Sequence, residues 1–143
     1  MTIEFREAWT TPPTPPPTDT ERAVIDRVVR DYYEGWYTAD AARMARAVHP
    51  DLAKRAFGVG PDRAPEIDHT TAGEMIDATR AGHGRVRAGN RLDIRIAELG
   101  AGIASVNVFA DHYVDLLHLI ETPDGWKIIN ALWRWADGHG PRA

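Results

Sequence analysis

The sequence predicts an α+β domain, with three to four helices over one face of a curved four-stranded, mainly antiparallel sheet. Three observations carry that expectation. In the first half of the chain apolar residues recur at helical spacing behind two capping-box sequences. Beyond residue 90 the period changes to two, and three tight-turn sequences divide the apolar stretch into four runs. The 143 residues suffice for one domain with a core of its own and little else.

The elements follow in order. Thr10-Thr-Pro-Pro-Thr-Pro-Pro-Pro-Thr18 holds five prolines and nothing that could pack a core, so residues 1–18 read as an extended arm ahead of a domain at 19–137 and a tail at 138–143. Thr18-Asp-Thr-Glu21 is a capping box, and Ile25, Val28, Val29, Tyr32 and Trp36 behind it form one broad apolar helix face. A second helix is expected from about Ala39 to Val48, with Thr38 as its cap and Pro50 as its stop. Gly58, Gly60, Pro61 and Pro65 break the next stretch, leaving at most a helical turn around Leu52–Phe57. A second capping box, Thr71-Ala-Gly-Glu74, opens a short helix that ends near Gly82, and His83 to Asn90 reads as an exposed basic loop. Leu92, Ile94 and Ile96 then alternate with charged residues. Gly100-Ala-Gly102 turns the chain into a strand at Ile103–Phe109. Two further strands, Tyr113–Glu121 and Trp126–Trp135, flank the turn Thr122-Pro-Asp-Gly125.

If Thr122 stands opposite Trp126, Leu117, Leu119, Ile129 and Trp133 share one face of this hairpin. Val114, Leu116, Ile120, Ile128 and Leu132 share the other. Helices on one side of the sheet leave the second set uncovered, and the expectation is a homodimer packed through that outer face.

Composition excludes several classes. Without cysteine there is no disulfide framework, thiolate nucleophile or iron–sulfur site. A net charge of −4 speaks against nucleic acid as a partner. No apolar run reaches membrane-spanning length and the N-terminus lacks the pattern of a secretory signal, so a cytoplasmic protein is expected. Ser105, the sole serine, lies within a predicted strand, which leaves no candidate serine nucleophile. Asp115 and His118, three apart on a strand, point to opposite faces, and no other spacing suggests a metal site. Neither metal nor cofactor is expected.

Two stretches make the chain resemble the nuclear transport factor 2-like superfamily, and within it the "putative lumazine-binding" and polyketide cyclase-like subgroup. They are Asp31-Tyr-Tyr-Glu-Gly-Trp36 running through Asp40 to Val48-His-Pro-Asp51, and Tyr113-Val-Asp-Leu-Leu-His-Leu119 with Asp124-Gly-Trp-Lys-Ile-Ile-Asn130. The resemblance covers roughly residues 20–136. It implies a cone of helices over a strongly curved sheet, enclosing a pocket open at one end. The superfamily includes ketosteroid isomerase, scytalone dehydratase, limonene epoxide hydrolase and polyketide cyclases, besides domains with no chemistry. Where the subgroup usually has a lysine this chain has Ala131, so the resemblance implies that a carboxylate–ammonium pair with Asp115 is lost. Tyr32 matches the position of the ketosteroid isomerase phenol by its distance from Asp40. The general-base aspartate of that enzyme has no equivalent, its spacing falling near Ala56, which argues against a steroid isomerase.

Asp115 is the leading candidate for chemistry. It interrupts an apolar strand, where burial raises a carboxyl toward the range of a general acid or base. The alternative is an aspartate satisfied by a Tyr or Trp donor, with Trp133 its cross-strand neighbour. His49 is a candidate proton shuttle or a helix-end histidine bonded to backbone. Tyr32 is a candidate oxyanion donor or a core aromatic. Trp36, Tyr113, Leu117 and Trp133 are expected to line the substrate site, with His69 at its mouth or merely preceding a helix. His112 and His118 fall on the outer, dimer side.

Two functions fit these residues. One is a cofactor-independent lyase, isomerase or hydrolase that moves a proton on an apolar aromatic or polycyclic small molecule. The other is a non-catalytic ligand-binding or dimerisation domain built on the same pocket. An Asp115 that titrates high beside a void favours the first, and one locked in a saturated network without a cavity favours the second.

Overall fold

The computed structural model describes residues 12–85 and 91–140. Its elements are α1 (Asp19–Thr38), α2 (Ala41–Ala47), β1 (Val48–Phe57), β2 (Ile67–Thr70), α3 (Ala72–Arg80), β3 (Leu92–Gly100), β4 (Ile103–Ala110), β5 (Tyr113–Thr122) and β6 (Gly125–Trp135). The sheet has six strands in the order β2-β1-β6-β5-β4-β3. Among the described residues only β1 and β6 pair in parallel.

Both capping boxes form. Thr18 accepts from Glu21 N and Thr71 from Glu74 N, while each glutamate reaches back to its threonine amide. Two of the orphan donors at each helix start are thereby satisfied. The second helix differs from expectation: its cap is Asp40, not Thr38, and it ends at Ala47. Thr38 is the last residue of α1, where its hydroxyl donates to Glu34 O at 2.6 Å. Ala39 in the left-handed region then turns the chain. Arg43 fastens α2 to α1 through Asp31 at 2.9 Å and Glu34 at 2.5 Å.

The expected sheet lacked two strands. The stretch Leu52–Phe57, expected as a helical turn, belongs to β1 instead. Its backbone pairs with β6 in the register Lys54↔Ala131, Arg55↔Leu132 and Ala56↔Trp133, and with β2 on its other side. That long-range pairing supplies the hydrogen bonds that the local sequence, with Pro50 inside it, does not advertise. The predicted basic loop is seen only at its start, because residues 86–90 lie outside the described set, as does most of the Pro-rich arm.

The β5–β6 hairpin contains a second difference. From Tyr113 to His118 the pairing is the expected one, with Asp115 opposite Trp133. Beyond His118 the register shifts by one, so that Leu119 faces Ile128 and Thr122 faces Gly125. The extra residue, Ile129, forms a bulge, and Ile128 and Ile129 exchange the faces assigned to them: Ile128 is buried and Ile129 is not. A further register shift between Ile96 and Glu98 bends β3.

The core lies between the helices and the inner sheet face. Ile25, Val29, Tyr32 and Tyr33 of α1, Met44 of α2 and Met75 of α3 pack against Val106, Val108, Leu117, Leu119 and Ile128. On the other face Leu116 and Leu132 are 44% and 49% exposed. No helix among the described residues is long and apolar enough to cross a membrane.

Candidate functional site

A cavity of about 250 Å³ opens between the C-terminal half of α1, helix α3 and the ends of β1, β5 and β6. Helical spacing places Tyr32, Tyr33 and Trp36 on one side of it. Strand alternation places Tyr113 and Asp115 on another, with Trp133 and Trp135 beside them on β6. Lys54 of β1 and Thr70 of β2 complete the sheet wall, while Met75, Ala78 and the exposed His83 come from α3 and the turn after it.

The aromatic wall is ordered by edge and stacking contacts. Tyr113 stacks on Trp135 at 5.5 Å and meets Trp133 edge-on at 5.6 Å, and the two tryptophans meet edge-on at 5.1 Å. Trp36 Nε1 donates to Tyr113 Oη at 3.3 Å, and Trp135 Nε1 donates to Val59 O at 2.9 Å. These two indoles are therefore pinned by their polar ends.

Asp115 lies in this wall with 3% of its surface exposed. The Tyr33 hydroxyl donates to its Oδ2, while Oδ1 is buried without a hydrogen-bond partner among the described residues. Burial pushes the carboxyl pKa upward, against the opposing pull of the Lys54 charge and the Tyr33 hydrogen bond. Tyr32 and Tyr33 are held well above the usual phenol pKa, first by burial and then by the Asp115 charge, so both remain protonated donors.

Lys54 is the residue that sequence reasoning passed over. Its ammonium donates to Tyr32 Oη and lies 4.9 Å and 5.6 Å from the ring centroids of Tyr32 and Trp133. Burial lowers its pKa, and the Asp115 charge opposes that shift. Because Lys54 pairs with Ala131, a neighbouring strand brings an ammonium to the place where the subgroup's lysine is missing. Lys54 and Asp115 form no ion pair among the described residues, but the two charges act on each other across the cavity wall. The available signal was the alternation Leu52, Lys54, Ala56, which becomes readable once this stretch is known to be a strand.

Of the expected site residues, Asp115, Tyr32, Trp36, Tyr113 and Trp133 meet at the cavity. Three do not line it. Leu117 is buried one alternation further along β5, in the core. His49 stands at the start of β1, its Nδ1 accepting from Asp51 N at 3.0 Å, the backbone-bonded alternative. His69 is exposed on β2 opposite Arg55, and its neighbour Thr70 reaches the cavity instead. The donor to Asp115 is Tyr33, not the cross-strand Trp133. His118 is exposed on the outer face, 3.3 Å from Asn130. Among the described residues no three His, Asp or Glu side chains converge as a metal site.

The family described as "Putative lumazine-binding" matches residues 20–134. No curated protein matches the chain. Among solved structures, an NTF2-like protein of unknown function from Silicibacter pomeroyi shares 16% identity at a TM-score of 0.65, covering 83% of this chain and 99% of its own. An NTF2-like protein of unknown function from Shewanella baltica shares 16% identity at 0.63, covering 83% and 96%. A domain of unknown function with a cystatin-like fold from Nostoc punctiforme shares 14% at 0.60, covering 84% and 80%.

Proposed function

The chain belongs to the putative lumazine-binding family on the nuclear transport factor 2-like fold, and from that premise we propose that its ligand pocket is the site of a cofactor-independent acid–base reaction, the work of an isomerase, lyase or hydrolase. One observation carries the reading: a buried carboxyl in the wall of an apolar cavity, one oxygen held by Tyr33 and the other without a partner. A saturated network would mark a structural aspartate, whereas an unpartnered carboxyl oxygen on a residue that lines a cavity can take a proton from a guest.

The roles follow from the contacts. Asp115 Oδ1 takes a proton from a carbon next to a carbonyl and later returns it. Tyr33 fixes the carboxylate and keeps its pKa from rising further. Tyr32, a protonated phenol backed by Lys54, donates a hydrogen bond to the oxygen on which negative charge develops. Trp36, Tyr113, Trp133 and Trp135 hold the substrate by its flat faces. His49, away from the cavity, takes no part. An apolar cavity of about 150 Å³ holds benzene. The space of about 250 Å³ therefore suits one or two fused rings rather than a larger polycycle. The fused two-ring lumazine of the family description falls in that size class.

We also propose that the exposed Leu116 and Leu132 on the outer sheet face pack against a second copy of the chain.

Deuterium exchange at the α-carbon of 2-tetralone, a bicyclic ketone, tests the proton transfer. The expected result is exchange well above the buffer rate, reduced roughly 10²- to 10⁴-fold by Asp115→Asn. Exchange at the buffer rate with tetralone bound would leave a ligand pocket without this chemistry.

A further inference from the structure

Lys54 has more in it than a supporting charge. The chain has two lysines, and they sit in opposite settings. Lys127 of β6 lies away from the cavity and donates to Arg46 O at 2.7 Å. The Lys54 side chain turns inward beside Ala131, whose small side chain leaves it room, and ends between the Tyr32 and Trp133 rings. It forms no ion pair among the described residues, and its hydrogen bond is to a phenol. Burial costs its charged form more than the Asp115 charge returns, and its pKa is lowered accordingly. Neutral amines of this kind are nucleophiles toward carbonyl carbon.

We propose that Lys54 captures an aldehyde or ketone in the cavity as an imine, which makes carbonyl compounds the substrate class of the site. The inference rests on the reading of the hollow as a reaction site. The neutral Nζ forms a bond to the carbonyl carbon as the C=O π bond breaks, and the proton that the nitrogen then gives up passes to the oxygen, giving a carbinolamine. That hydroxyl leaves as water with a proton from the Asp115 carboxylic acid, and the products are a protonated imine and the Asp115 carboxylate. The carboxylate so formed removes the α-proton, with the electron pair drawn toward the iminium nitrogen as an enamine. Both transfers are assigned to Asp115 because it lines the same cavity as Lys54 and its charge acts on that amine.

The test is reductive trapping of the full-length chain. Incubation with 2-naphthaldehyde and cyanoborohydride near neutral pH, followed by intact-mass and peptide analysis, should place one naphthylmethyl group on Lys54. Labelling of Lys127, which does not line the cavity, should be slower. Labelling of Lys127 with Lys54 untouched would overturn the proposal, and this comparison within the wild-type chain does not depend on any variant folding. Lys54→Arg retains a cation but cannot form the imine. Loss of Asp115-dependent tetralone exchange in K54R supports imine chemistry. Exchange unchanged in K54R, with no trapping, overturns the imine and leaves the Asp115 reaction standing. Absence of both trapping and exchange in the wild type would remove the reaction site itself.

Discussion

At the scale of the residue, the chemistry turns on one carboxyl and its neighbours. Burial raises the Asp115 pKa, and the Tyr33 hydrogen bond holds it down. Tyr33→Phe should therefore shift the basic midpoint of the exchange profile to higher pH, as the pH dependence of tetralone exchange would show. A midpoint that stays or falls would mean that Tyr33 does not stabilise the ionised form. The same raised pKa bears on stability. The folded chain holds the Asp115 proton more tightly than the unfolded chain does, so the favourable contribution is complete below the unfolded value near 4. It is lost as pH rises through the folded midpoint. Asparagine cannot ionise, so the stability difference between Asp115→Asn and the wild type should move in favour of the variant from about pH 4 upward, then level off. Urea titrations across that range measure it.

At the scale of the element, the site depends on helix ends. The Thr71 cap starts α3, which carries Met75, Ala78 and, in its following turn, His83 to the cavity. Thr71→Ala should cost about 1 kcal/mol of unfolding free energy. Gly84 lies directly against α1: a Cβ there would stand 2.3 Å from Trp36 O and 2.6 Å from the Trp36 ring. Gly84→Ala must therefore displace a wall of the cavity, and tetralone exchange should fall on the order of 10²-fold, the effect of a misplacement near 1 Å. Unchanged exchange would mean that Trp36 does not position the substrate. Elements with local signals were legible in the sequence, namely both capping boxes and the strands and turns beyond residue 90. β1 was not, because what makes Val48–Phe57 a strand is the edge that β6 offers more than seventy residues later in the chain. Lys54 was hidden with it, since an isolated lysine has no face until its strand has a register. Tyr33 was visible as an aromatic beside Tyr32, but the helix face is wide enough that spacing alone does not say which phenol meets the carboxylate.

At the scale of the whole molecule, sequence pattern gives the two-layer architecture, and side-chain contacts give the site. Asp115 could be placed in a wall because one polar residue in an apolar strand is a local anomaly. Its partners come from α1 and, across β6, from β1, which only the assembled sheet brings together. The bulge at Ile129 likewise follows from closing the β5–β6 hairpin and could not be read from alternation. The outer face carries the dimer proposal. Leu132→Asp should shift the chain to monomers in sedimentation velocity without changing the far-ultraviolet spectrum, because Leu132 is half exposed and outside the core. A wild-type chain that sediments as a monomer at micromolar concentration would contradict it.

The central claim is that an apolar cavity holds a buried carboxyl whose pKa is raised. Carbon-13 NMR titration of the Asp115 carboxyl, assigned by difference against Asp115→Asn, tests it most directly. The account predicts a midpoint above the ordinary aspartate value near 3.9 and a further rise in Tyr33→Phe. A midpoint at or below that value would contradict it.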